Sequence, residues 1–193
     1  MKRTSLILAF VAMLVCRLSP LDKFSMTRDT QAQEPARPTL PTAEMQRLAK
    51  FYVRTWDYTE NYPKSPRAPE GGQNTGVYTS ELGPGGNSLI NRFHSRGPVG
   101  DFEGLLVMSW EPREKNYKEY IFGSDHAGTL VATGQWEGDA LVYRVEFPTS
   151  GVNLTLRNVT RLTAPGKLVS EQFSSVNGAP ETLLVRVEAT KRP

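Results

Sequence analysis

The sequence predicts an all-β protein, a single antiparallel up-and-down barrel of about 9–10 strands preceded by one short helix. Three observations carry this. From Thr75 to Thr190 the chain is a succession of short β-type segments cut by Gly, Pro, Asn or Asp, with no convincing helical stretch between them. The links are shorter than the dozen or so residues that a parallel crossover takes, so segments adjacent in sequence should pair antiparallel. The later segments also alternate in polarity. Leu141, Tyr143, Val145 and Phe147 oppose Arg144 and Glu146, and Leu183, Val185, Val187 and Ala189 oppose Arg186 and Glu188.

Ahead of the barrel, Lys2 and Arg3 precede an apolar run at 6–15 (LILAFVAMLV) that Arg17 ends. The run is far short of the roughly 20 apolar residues that span a bilayer. It reads as a signal peptide over 1–32, with Thr30 and Ala32 as the small residues before the cut. The protein is therefore expected to be exported, periplasmic or secreted, with no transmembrane segment after processing. Cys16 invites a lipoprotein reading, but the bulky Val15 before it is a poor match for lipid attachment.

Removing the leader changes the electrostatics. The chain has 23 basic and 20 acidic residues; 1–32 holds five of the former and two of the latter, which leaves 18 of each. With no surplus positive charge, nucleic acid is excluded as an expected partner. Cys16 is the one cysteine, so the mature chain would have no disulfide, thiol nucleophile or thiolate metal site. Its core alone must hold it together, and a domain of this size buries roughly 70% of its unfolded surface.

Residues 33–41 (QEPARPTLP) form a Pro-rich linker, and 42–193 the barrel domain. Thr42 is a plausible N-cap. Met45, Leu48, Ala49 and Tyr52 follow at helical spacing, so one helix face is apolar. The first strand is expected at 52–58. A loop with Pro63, Pro66 and Pro69 follows, either a surface loop or a docking segment. Further strands are expected at 76–82, 88–95, 103–110, 117–122, 129–136, 141–147, 152–162, 168–176 and 182–190. Within 152–162 the apolar phase slips from Val152, Leu154 and Leu156 to Val159, which suggests a bulge near Asn158. Leu89-Ile90 and the run at 105–108 (LLVM) are apolar on both faces. One face would meet the interior, and the helix is expected to cover the other. An interior of ten strands is either filled or holds one small ligand.

Several short motifs fit a known family. They are Arg54-Thr55-Trp56 after the helix, Ser109-Trp110-Glu111-Pro112 with Lys115-Asn116-Tyr117, and Phe122-Gly123-Ser124-Asp125 with Gly128. Gly134-Gln135-Trp136-Glu137-Gly138 and the closing Val187-Glu188-Ala189-Thr190-Lys191 complete the set. Over roughly 45–191 the chain resembles the calycin-type, lipocalin-like barrels, and more closely a bacterial exported family of domain of unknown function 1579. It departs from the calycin pattern at Arg54, where a Gly-x-Trp motif would have Gly, and at Trp110-Glu111, which replaces a Tyr-Asp pair. The resemblance implies a lipocalin-type barrel and no settled activity.

The candidate ligand-binding residues are Trp56, Arg92, His94, Trp110, Tyr120, Trp136 and Tyr143. The aromatics lie on separate strands and could converge on an apolar pocket, or be ordinary core residues. Arg92, His94 and Arg96 share one strand face: an anion site if it is the inner one, a solvated surface if it is the outer. His126 reads as a turn residue. Asp57, Asp101, Glu103 and Glu111 are conceivable acid–base groups, with nothing to single them out. The sequence has no nucleophile elbow, phosphate loop or metal-ligand spacing, so no catalytic residue, metal or cofactor is assigned. The sequons at Asn153 and Asn158 fall inside a predicted strand. The leading expectation is a non-catalytic barrel that binds a small, largely apolar ligand. The alternatives are a cyclase- or isomerase-type enzyme using the same cavity and an envelope interaction protein docking through the proline loop.

Overall fold

A computed structural model describes residues 40–65, 68–149 and 152–193. The predicted leader, and the linker up to residue 39, lie outside the described residues. Helix α1 spans Ala43–Tyr52, and the Thr42 side chain accepts a hydrogen bond from the Met45 N–H at 3.2 Å, which caps it. Ten strands follow: β1 Arg54–Tyr62, β2 Gly72–Leu82, β3 Ser88–Arg96, β4 Phe102–Glu111 and β5 Asn116–Gly123, then β6 Leu130–Glu137, β7 Ala140–Thr149, β8 Val152–Ala164, β9 Lys167–Val176 and β10 Thr182–Lys191.

Each strand pairs antiparallel with the next in sequence, and β1 closes the ring against β10. This is the up-and-down barrel of the sequence reading, a lipocalin-like architecture with no open sheet edge. The main lengthening is at the proline loop, where β1 runs on to Tyr62 and β2 starts at Gly72. Arg192 continues the closure, its N–H reaching Thr55 O at 2.9 Å and its guanidinium pairing with Asp57.

Two expectations are corrected. The helix does not cover the outer face of β3 and β4; it closes one end of the barrel. Met45, Leu48, Phe51 and Tyr52 are buried against the inward residues Trp56, Leu89, Met108 and Tyr117. The Tyr117 hydroxyl donates to Glu44 O at 3.0 Å, and Arg47 donates to Gly138 O at 3.2 Å. The physical reason is reach. Val53 alone links α1 to β1, so the helix must sit at the barrel rim where β1 begins, two strands away from β3. The outer face of β3–β6 therefore keeps a row of apolar side chains, Ile90, Val107, Tyr120 and Val131, in direct register.

The second correction concerns Asn158. The β7–β8 register runs unbroken through it, with Tyr143 opposite Asn158. The shifts lie elsewhere, between Leu162 and Ala164 and between Leu183 and Val185. Val159 leaves the inner phase because it belongs to an outer cluster with Ala140, Val142 and Phe173, whose ring Arg157 covers at 4.5 Å.

Candidate functional site: the barrel interior

The barrel is not filled. Below the end that opens between the β1–β2, β3–β4 and β5–β6 loops lies a cavity of about 460 Å³. That is within the range of small-molecule sites. Its wall is mostly apolar, built from Leu106, Met108, Ile121, Val145, Leu156 and Val187 among others. The cavity owes part of its shape to aromatic rings lying over inward-facing glycines on the neighbouring strand. A Cβ at Gly76 would stand 2.6 Å from Tyr58 Cζ, one at Gly104 2.5 Å from Phe93 Cε1, and one at Gly134 2.4 Å from Tyr143 Cε1. Each ring is the register partner of its glycine, so a side chain there would push the ring into the lumen. Gly134→Ala is accordingly expected to destabilise the fold by about 1–3 kcal/mol in urea denaturation.

Within this wall sits Glu119. It is 8% exposed, and no described residue makes an ion pair or hydrogen bond with it. Burial pushes its carboxyl up to about 8. At neutral pH it is chiefly a neutral acid, able to donate a hydrogen bond. Burial also raises the phenols of Tyr143 and Tyr78, with the Glu119 carboxylate acting in the same direction. The Tyr143 hydroxyl is buried without a hydrogen-bond partner among the described residues. Beside it, Asn158, Thr160 and Ser170 satisfy one another. Thr160 donates to Asn158 Oδ1 at 2.9 Å, and Ser170 donates to the same oxygen at 2.8 Å. The wall thus has a polar arc in which Glu119 and Tyr143 lack partners among the described residues. Native interiors rarely leave such groups unmatched.

Of the seven candidates named from sequence, Tyr143 lines this cavity. Trp56, Trp110 and Trp136 also face inward but lie at the closed end, packed with the helix. Trp56 Nε1 donates to Tyr52 O at 3.0 Å, Trp110 meets Tyr117 edge-on at 5.0 Å, and Trp136 lies between Phe51 at 5.1 Å and the Arg47 guanidinium at 3.9 Å. Tyr120 points outward and is 39% exposed.

Arg92 and His94 are on the outer face as well, because Leu89, Asn91 and Ser95 take the inner phase of β3 and are buried. Arg92 pairs with Glu81 at 2.6 Å, and Arg96 pairs with Asp101 and donates to His94 Nε2 at 3.1 Å. The three basic residues therefore form a solvated surface and bring no positive charge to the lumen. Asp57, Asp101, Glu103 and Glu111 also lie away from the cavity.

Glu119 and His126 were missed as cavity groups. The alternation in β5 was ambiguous: Tyr117, Glu119, Ile121 and Gly123 form one phase, and Lys118, Tyr120 and Phe122 the other. The second phase has more exposed aromatic surface, so its apolarity pointed the wrong way. His126 could not be placed from sequence, since it enters the mouth by a turn.

These features define a closed ten-stranded, lipocalin-like barrel with an apolar interior and a few polar groups aimed into it. No family model matches the chain, and no curated protein sequence does. Solved structures share the fold. Rv2717c from M. tuberculosis superposes with a TM-score of 0.57 at 12% identity, covering 79% of this chain and 99% of that one. The S-type phycobiliprotein lyase CPES from Guillardia theta gives 0.52 at 9% identity, covering 77% and 92%.

Proposed function

We propose that this protein is an exported barrel that binds one small, largely apolar ligand in its interior, through an uncharged polar group that meets Glu119 and Tyr143. The observation that carries the reading is the pairing of an apolar cavity with two buried polar groups that have no partner among the described residues. An uncharged head group fits because, among the described residues lining the cavity, there is no Lys or Arg. An anionic head would be buried beside Glu119 with no counter-charge, which costs several kcal/mol. The leader read over 1–32 would place this binding outside the cytoplasm.

The test is to titrate the protein at pH 7 with 1-decanol and with decanoate, following displacement of an apolar fluorescent probe. One-to-one binding of 1-decanol, at least tenfold tighter than decanoate, is expected. Absence of 1-decanol binding, or the reverse order of affinity, would overturn the reading. A second reading keeps a specific support: a catalytic use of the cavity needs an ionisable side chain in the lumen, and Glu119 is one. It predicts that a ligand extracted from the natively purified protein is chemically converted on incubation, and that Glu119→Gln stops the conversion. An unaltered ligand would end it.

A further inference from the structure

The cavity has a second polar level that the Glu119 site does not use. Beyond the end of β5 the chain turns back on itself, and His126 folds over Gly123 to join the cavity wall. Gly123 makes this possible, since a Cβ there would stand 2.7 Å from His126 Cε1. The ring is also oriented. Its Nδ1 lies 2.8 Å from Asp125 Oδ1, and a carboxylate can only accept, so Nδ1 carries the proton. In the neutral imidazole that leaves Nε2 with its lone pair, and this nitrogen is buried with no partner among the described residues. A turn histidine with no task would be expected to direct both nitrogens to water or to protein groups.

The two levels are well separated. Glu119 and Gly123 are four residues apart on one strand, about 13 Å at roughly 3.3 Å per residue. Ile121, Leu106, Val145 and Leu156 line the wall between them. The charge at the mouth selects further. Glu60 and Asp125 line it, and the Tyr62 hydroxyl donates to Glu60 at 3.0 Å. A carboxylate or phosphate end would meet like charge there, whereas a hydroxyl can donate to Nε2.

We propose that the ligand is elongated and bipolar: an uncharged apolar chain with one hydrogen-bonding group held by Glu119 and Tyr143 and a hydroxyl at the far end held by His126 Nε2. This rests on the interior-binding reading above and adds the length and the second end of the molecule.

The experiment compares 1-decanol with 1,10-decanediol, whose ten-carbon chain matches the separation of the two levels. The quantity read is the ratio of the two dissociation constants, in the intact protein and in the variants His126→Phe and Gly123→Ala. Comparing ratios cancels the different hydration of the two alcohols. His126→Phe removes the acceptor while keeping a ring, and Gly123→Ala displaces the imidazole. Each variant is expected to shift the ratio about tenfold against the diol, the worth of one hydrogen bond. Equal ratios in the intact protein and both variants would overturn the bipolar ligand while leaving interior binding intact. Failure of the intact protein to bind either alcohol would overturn both.

Discussion

Replacing Glu119 with glutamine is expected to stabilise the protein by about 2–4 kcal/mol at pH 9 and to change its stability little at pH 5. Burial raises the carboxyl from its ordinary 4.5 to about 8. A raised value means that the folded protein holds the proton more tightly than the unfolded chain does. The associated stability is therefore fully present below pH 4.5, falls as the pH climbs towards 8, and is gone above it. Glutamine is uncharged throughout, so the variant lacks this decline. Urea denaturation at pH 5 and pH 9 measures it. Parallel pH dependence in the two proteins would show that Glu119 has a compensating partner or is solvated in the unliganded barrel.

Trp56→Ala should cost about 3–5 kcal/mol, the largest loss expected from a single truncation in this fold. The indole is fully buried and donates to the carbonyl of Tyr52, the last residue of α1. Its removal would open a void where helix, β1 and the barrel end meet, and would leave that carbonyl without its partner. Tyr120→Ala provides the comparison. Tyr120 is of similar chemistry and was equally prominent in the sequence, but it lies on the outer face, and its loss should cost less than about 1 kcal/mol. Midpoints of urea unfolding decide between them. Similar losses for the two variants would contradict the helix-closed end as the main site of packing.

How much of this was legible in the sequence differs sharply between fold and site. The strand boundaries were readable because each turn carries its own chemistry. Gly138 at φ 65° and Asn177 at φ 51° adopt the left-handed conformation that these links require. Closure was readable because ten sequential strands leave no other way to hide both edges. The phase of each strand was readable only where the two faces differ in polarity, as in β7, where Tyr143 was correctly placed inward. In β5 both faces carry aromatics, so the alternation could not distinguish Tyr120 from Glu119. In β3 the basic outer phase was clear, but its direction was not, because the small buried residues Asn91 and Ser95 give no apolar signal.

The sequence was therefore enough for the all-β class, the strand count, the meander and the single capped helix. Each of these follows from local turn chemistry and the period of the chain. Where the helix docks, which face of β3 and β5 looks inward, and how His126 reaches the mouth were decided by the tertiary structure alone. Those outcomes depend on the length of one linker residue, on glycines that admit a ring from elsewhere, and on closure of the ring by β10. A buried acid in an apolar cavity is a property of the enclosed space, and the space exists only after the last strand pairs with the first.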